Sequence, residues 1–202
     1  MLAEASQHAL TTLLRTQTQA AHHALDSMPI LVEMASGRIG PGRYLLVIAA
    51  FDQVWRVTEP EAWTVLAAKI PEISILRDER CRLLDDDLAA LGGRKPGRQR
   101  ADATAAILTP PQAAGALYVL EGARLGGSLI AERLGKAGHP VGSPGYRFFG
   151  DLRDDVAIRW RQFRGLVDAV PWTTTECACA SAAARATFAA IADALHAELA
   201  DV

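Results

Sequence analysis

Apolar residues recur at helical spacing along nearly the whole chain, and this periodicity constrains the fold more than any other feature. The first such segment runs from Ser6, an expected N-cap, to Asp26. Further helices are predicted over about 43–58, after Pro60, over 73–91, from Pro110 to Ala137, over 151–169 and over 175–200. No segment alternates with strand period for long enough to build a sheet. The sequence therefore predicts an all-α helical bundle.

Glycine and proline clusters separate the predicted helices. Turn residues are found over 37–42, and Gly92-Gly93 ends the helix predicted over 73–91. Residues 138–150 are predicted to form a loop. The basic stretch 92–102 is interpreted as a solvated connection rather than a binding patch. We find no internal repeat and no composition shift, so residues 1–202 are expected to form a single domain.

Composition and charge exclude several classes of protein. Half of the 202 residues are hydrophobic, 22% are charged and the net charge is −2, so nothing points to nucleic acid or an anionic membrane. No apolar run reaches the ~18–20 residues of a membrane span, and no signal-peptide pattern is present, so we expect a cytoplasmic protein. The three cysteines, among them Cys177 and Cys179, are interpreted as structural or incidental.

One face of the first helix carries a candidate ligand set. Arg15, Thr18, His22 and Asp26 are spaced by three, four and four residues, which places them on one side of a helix. A neutral imidazole is a common metal ligand, and an acceptor on its second nitrogen fixes the tautomer. Asp26 could supply that acceptor. A surface histidine beside an acid is common, so this pattern alone does not decide the function.

Glycines interrupt the apolar pattern of the fifth helix. Gly122, Gly126 and Gly127 lie in its middle, and each interior glycine costs roughly 0.5–1 kcal/mol relative to alanine. Such a cost indicates another demand on the backbone. Close packing against a second helix and close approach of a flat ligand explain it equally well at this point.

Together the two segments resemble the heme oxygenase family. The proximal helix of that family carries a pattern close to Leu-Arg-x-x-Thr-x-x-x-His-x-x-Leu-Asp/Glu, matched here from Leu14 to Asp26. Its distal helix, in bacterial members, looks like Tyr-Val-Leu-Glu-Gly-x-x-Leu-Gly-Gly, matched by Tyr118 to Gly127. Weaker similarities lie at Tyr44-Leu45-Leu46, at Arg80 with Asp87-Leu88 and Leu91-Gly92, and at Phe188 with Ile191.

The resemblance implies a heme oxygenase-type bundle with heme between the first and fifth helices. His22 would be the axial ligand of the iron, and Gly122, Gly126 and Gly127 would let backbone approach the distal face. The residues expected to hold the rest of the heme are Arg15, Thr18, Tyr118 and Arg161. Heme would be substrate as well as cofactor, cleaved at a meso carbon to biliverdin, carbon monoxide and ferrous iron. An external reductant, such as ferredoxin or an NADPH-dependent reductase, would supply electrons, and a phytochrome is a candidate acceptor of biliverdin.

Two departures and two alternatives accompany this interpretation. Many members carry an aspartate where this chain has Ala123, and Arg124 within the motif is unusual, so the distal proton source stays open. Arg159, Arg161 and Arg164 all remain candidates for the second propionate. A non-catalytic or degenerate heme-binding protein of the same fold is the main alternative. A carboxylate di-iron bundle is disfavoured because it needs Glu-x-x-His pairs, and only Asp193-x-x-His196 comes close.

Overall fold

All regular elements that the structure describes are helical. The computed structural model describes residues 9–78, 80–93, 109–150 and 156–200. The elements are α1 (Leu10–Asp26), α2 (Pro29–Ala35), α3 (Pro41–Lys69), a 3-10 helix (Pro71–Leu76), α4 (Arg80–Ala90), α5 (Pro110–Lys136), α6 (Arg147–Gly150), α7 (Val156–Asp168) and α8 (Thr174–Ala200). The all-α prediction is confirmed. The expected N-cap Ser6, most of the loop over 92–102, and the first residues of the helix predicted over 151–169 lie outside the described residues.

The prediction that a helix ends before Pro60 is wrong, because α3 continues through this proline to Lys69. An internal proline costs about 3 kcal/mol, since it lacks an N–H and crowds the preceding turn. Buried side chains on both sides offset that cost, with Trp55 before the proline and Trp63 and Leu66 after it. Tertiary packing therefore overrides the local signal.

Two other predicted bounds are wrong, and one short helix was not predicted. The helix expected over 73–91 is a 3-10 helix that ends at Leu76, followed by α4 from Arg80. Arg77 is extended, with ψ 124°, which breaks the helix between them. The short helix α6 lies within the loop expected over 138–150, and the short helix α2 lies in a stretch where no helix was predicted. Each has fewer than two full turns of periodic sequence, too little for a helical pattern to emerge.

Helices α3, α5 and α8 pack on one another to form the centre of the bundle. Gly115 of α5 makes the closest approach, because a Cβ added there would lie 2.0 Å from the carbonyl oxygen of Ala180 on α8. Only glycine fits at that crossing. Helix α1 packs mainly on α8 and meets α5 only slightly, which leaves space between α1 and α5.

Helix α8 is the only element within the described ranges that is long and apolar enough to cross a membrane by length and composition. Half of its most apolar window is buried inside the protein, where the helix packs against α1, α3 and α5. Its apolar character therefore matches a core helix of the bundle.

Candidate functional site

A cavity of about 820 Å³ opens between α1, α5 and α7. Helix α1 contributes most of its wall, including Arg15, Thr18, His22 and Asp26. The opposite walls come from α5 and α7, through Tyr118, Leu125, Trp160 and Arg164. Cavities of ~300–1,000 Å³ are typical of small-molecule and cofactor sites. The face of the first helix that the spacing predicted is thus the face that lines the cavity.

A hydrogen bond to Asp26 orients the His22 ring. His22 Nδ1 lies 2.8 Å from Asp26 Oδ2, one helical turn away, and the two side chains are 62% and 64% exposed. The edge of the ring packs on Phe188 of α8, with ring centroids 5.6 Å apart. An acceptor at Nδ1 places the proton on that nitrogen and leaves Nε2 with a free lone pair. His22 is therefore prepared to bind a metal through Nε2.

His23 also lines the cavity, although it lies about 100° around the helix axis from His22. Its Nδ1 lies 3.5 Å from the hydroxyl of Ser27, and no carboxylate within the described ranges pairs with it. The two adjacent histidines therefore differ in the group that their Nδ1 atom contacts. Of the two, only His22 has a carboxylate there, the kind of acceptor that makes a histidine a better metal ligand.

Two arginines give one end of the cavity a positive charge. Arg15 of α1 and Arg164 of α7 both line it, next to the Tyr118 hydroxyl. Burial raises the pKa of Tyr118, while the charges of Arg15 and Arg164 oppose that rise. Both guanidinium groups thus lie close to one phenolic oxygen. An anionic group at this end of a ligand would meet both arginines.

The other candidate arginines of α7 lie away from the cavity. Arg161 is exposed and is not among the lining residues. Arg159 is buried, and its Nε donates to Glu121 Oε2 at 2.6 Å, while Nη2 donates to Glu121 Oε1 and to the Leu76 carbonyl. Of these three arginines of α7, only Arg164 lines the cavity together with Arg15.

The three glycines of α5 have different surroundings. Among the residues that the structure describes, a Cβ on Gly122 would meet only the Trp160 ring, at 3.8 Å, and one on Gly126 would meet none within 4 Å. A Cβ on Gly127 would lie 3.2 Å from Phe149, so this glycine is buried in the core. Gly122 follows Tyr118 by one turn and thus extends the cavity face of α5. Helix packing therefore accounts for Gly127 but not for Gly122 and Gly126.

Arg124 has a structural partner that the sequence did not indicate. Its Nη1 and Nη2 both donate to Asp78 Oδ2 at 2.8 Å, and Glu121 lies 3.7 Å from Nη1. The arginine is 7% exposed. This charge-assisted pair fixes α5 to the segment before α4, so the unusual Arg124 contributes to packing beside the site.

Thr18, Leu125 and Trp160 complete the wall. The Thr18 hydroxyl donates to the Leu14 carbonyl at 2.7 Å, so it is already satisfied. Leu125 was not predicted as a site residue because it fits the apolar period of α5. Trp160 was not predicted either, although it packs on Tyr118 with ring centroids 5.4 Å apart. An aromatic residue next to candidate arginines was the available signal for Trp160.

A single protein donor suits a metal that brings its own ligands. Within the described ranges, no three His, Cys, Asp or Glu side chains are grouped to hold an ion. His22 with one free nitrogen fits an iron whose other positions are filled by a macrocycle. The apolar and aromatic walls and the paired arginines fit a flat ligand with carboxylate groups.

Comparison with known proteins assigns the family. The model of the family described as heme oxygenase matches residues 8–197. The chain belongs to the heme oxygenase family. A comparison with curated protein sequences found no match.

Solved structures show the same fold. Heme oxygenase from Leptospira interrogans is 21% identical with a TM-score of 0.74, over 93% of this chain and 98% of that one. Heme oxygenase-1 from the cyanobacterium Synechocystis, in complex with heme, is 18% identical with a TM-score of 0.74, over 94% and 92%. The NO- and CO-bound heme oxygenase from Neisseria meningitidis is 22% identical with a TM-score of 0.67, over 95% and 92%. The predicted bundle of the heme oxygenase type is confirmed.

Proposed function

We propose that this protein binds heme in the cavity between α1 and α5, with His22 as axial ligand, and cleaves it at a meso carbon. The products would be biliverdin, carbon monoxide and ferrous iron. The observation that carries the proposal is the His22–Asp26 pair at one end of a cavity that has Arg15 and Arg164 at another. Membership of the heme oxygenase family supports it.

The protein residues bind and orient the substrate. His22 supplies the iron ligand through Nε2, and Asp26 keeps the proton on Nδ1. Arg15 and Arg164 neutralise the propionates, and the ring of Trp160 closes the wall beside Tyr118. Heme itself, once bound and reduced, supplies the oxygen chemistry.

The distal face is proposed to be the cavity side of α5 at Gly122 and Gly126. Without side chains there, the porphyrin can lie close to the helix backbone, and small molecules can reach its upper face. Ala123 brings no acid to this region, so ordered water is the proposed proton carrier. Gly127 supports the site indirectly through its contact with Phe149.

The proposal includes partners and a location. The side chains of the site supply no electrons, so an external donor such as ferredoxin or an NADPH-dependent reductase is required. We extend the proposal to a cytoplasmic protein whose biliverdin is available to a phytochrome, with neither nucleic acid nor a membrane as partner.

Absorption spectroscopy tests the function. Purified protein is mixed with hemin, and the Soret and visible bands are recorded before and after adding ascorbate or a ferredoxin system. Loss of the Soret band with growth of a biliverdin spectrum supports the enzyme. Stable heme binding without verdin formation would instead identify a non-catalytic heme protein, which the missing acid at Ala123 makes the second candidate.

A further inference from the structure

Helix α1 carries the heme ligand but has no N-terminal cap of its own. Its N-cap residue is Ala9, whose side chain cannot accept a hydrogen bond. The amide of Thr11 lies in the first turn, where helix N–H groups have no partner within the helix. This amide donates to Asp168 Oδ1, at 2.8 Å, from the last residue of α7. A residue of another helix thus caps α1.

The same contact has a second hydrogen bond. The Thr11 hydroxyl donates to Asp168 Oδ2 at 2.6 Å, so both carboxylate oxygens of Asp168 bind one residue. Thr11 is 2% exposed and Asp168 is half-buried, so this contact is partly shielded from water. Short hydrogen bonds to a carboxylate in a partly buried setting are stronger than fully exposed surface contacts. Asp168 therefore fixes both the position of the first turn of α1 along the helix axis and its rotation about that axis.

Arg164 joins this cluster from one turn earlier on α7. Its Nε donates to the Thr11 hydroxyl oxygen at 3.2 Å, so one hydroxyl accepts from Arg164 and donates to Asp168. This contact engages Nε and leaves the terminal nitrogens of the guanidinium for an anion. Arg15 lies one turn after Thr11 on α1 and lines the same cavity.

We propose that Thr11 and Asp168 are positioning residues, which hold α1 and α7 in register and thereby fix the separation of Arg15 and Arg164. The inference rests on the proposed function, in which these arginines bind the propionates. A fixed separation allows the porphyrin one in-plane orientation, so the Thr11–Asp168 contact determines which meso carbon is cleaved. Asp168 is not among the residues that line the cavity, so it would act without touching the heme, whereas Thr11 also forms part of the cavity wall.

Three variants separate this role from general stability. Thr11→Val keeps the shape and removes the hydroxyl, Thr11→Ser restores the hydroxyl, and Asp168→Asn keeps the shape but removes the charge. Thr64→Val is the matched control, because Thr64 is exposed on α3 and its hydroxyl bonds only within that helix, to the Pro60 carbonyl at 2.8 Å. All four are compared with the unchanged protein, with thermal unfolding as a check on folding.

Two measurements are made on each variant. In the heme-free protein, exchange of the Thr11 amide is followed by NMR, and we expect Asp168→Asn to speed it about tenfold because the cap is weakened. In the heme-loaded protein, the biliverdin isomers are separated by chromatography. Thr11→Val and Asp168→Asn should give mixed isomers and a higher KM with a smaller change in kcat, while Thr11→Ser and Thr64→Val should give the original isomer.

The outcomes distinguish this inference from the proposed function. Faster exchange in Asp168→Asn supports it when Thr11→Val and Asp168→Asn also give mixed isomers and Thr11→Ser keeps the original isomer. Unchanged exchange in Asp168→Asn, or faster exchange with an unchanged isomer pattern, overturns it. If the unchanged protein forms no biliverdin, the proposed function fails, and hemin affinity then replaces the isomer pattern. Equal hemin affinity across all variants would then overturn the positioning role too.

Discussion

Asp26 Oδ2 lies 2.8 Å from His22 Nδ1, one turn along the same helix. The proton on Nδ1 is therefore directed at a carboxylate, and Nε2 is left with its lone pair. Because both residues belong to α1, this geometry needs only the helix to form and no second element. His22, the proposed ligand, and its orienting acceptor are thus placed together when α1 packs on α8.

The first prediction separates the two neighbouring histidines. His22→Ala should abolish the axial-ligand signature of the ferric heme complex and reduce turnover to near background, since His22 alone has the carboxylate partner. His23→Ala should change either property little, although His23 also lines the cavity. Absorption and electron paramagnetic resonance spectra of both variants decide the assignment. A loss confined to His23→Ala would move the ligand by one residue.

The second prediction concerns the glycines of α5. Gly126→Leu adds a side chain at a position where no described residue lies within 4 Å of the added Cβ, so folding should be retained and helix propensity should rise. Heme affinity should nevertheless fall, because the added side chain stands beside the cavity face of α5. Titration with hemin measures the loss. Unchanged affinity and turnover would remove Gly126 from the site.

Gly127→Leu serves as the contrast to that variant. Its side chain would be forced against Phe149, whose Cδ1 is 3.2 Å from the position of a Cβ. We expect overpacking to destabilise the fold by about 1–3 kcal/mol. Denaturant unfolding of the heme-free protein would show this loss for Gly127→Leu and not for Gly126→Leu.

The third prediction tests the crossing of α5 and α8. Gly115→Ala places a methyl group 2.0 Å from the Ala180 carbonyl oxygen, so the two helices must separate. We expect a loss of about 3 kcal/mol in the free energy of unfolding. Gly126→Ala is the matched control, since that site is open and the same change should add roughly 0.5–1 kcal/mol through helix propensity. Equal effects at both positions would contradict the contact.

Helix periodicity and the two family motifs predicted the central helices and the His22 face. Helix α5 is the clearest example, since Thr109 and Pro110 begin it and it ends at Lys136, next to the predicted Ala137. These features are local, so the sequence carries them directly. The Gly92 turn, at φ 73°, likewise follows α4 as predicted.

The errors come from contacts between distant residues. Pro60 does not end α3, because the side chains on both sides of it are buried by other helices. Arg164 could not be chosen over Arg161 from the sequence, because the rotation of α7 is set by the buried bonds of Arg159 to Glu121. Hydrogen bonds between residues far apart in the sequence produce no periodic pattern in it, so they could not be predicted from periodicity.

The fourth prediction concerns a buried acid outside the cavity. Glu59 is 3% exposed and accepts a bond from the Cys81 thiol at 3.4 Å. Burial, with Asp78 and Glu121 nearby, raises the pKa of Glu59 to about 7, while the Cys81 bond and the charge of Arg80 oppose the rise. The folded state is therefore more stable at low pH, where Glu59 is protonated.

The sign of the pH effect follows from that raised pKa. The stabilising contribution of neutral Glu59 is complete below the pKa of an unfolded glutamate and is lost as pH rises through about 7. Between pH 5 and 8 we expect Glu59 to cost on the order of 1–3 kcal/mol of stability. Glu59→Gln should flatten this part of the stability curve in denaturant titrations. An unchanged slope in the variant would show that other groups cause it.

The last prediction concerns Arg15 and the orientation of the heme in its plane. A single axial histidine permits rotation about its bond to iron, so the propionates are the charged groups that can stop it. Arg15 lies two turns before His22, a rise of about 10 Å, and lines the same cavity.

A charge-assisted contact contributes on the order of 1–3 kcal/mol, so Arg15→Ala should weaken hemin binding about tenfold. Arg164, which also lines the cavity, would then be the remaining anchor on one side of the porphyrin edge, so turnover should slow and give a mixture of biliverdin isomers. Arg161→Ala is the control, because Arg161 lies outside the cavity and should leave affinity and isomer unchanged. Chromatography of the biliverdin product shows whether Arg15 sets the in-plane orientation of the heme. A single unaltered isomer with unaltered hemin affinity in Arg15→Ala would mean that residues of α7 alone set this orientation.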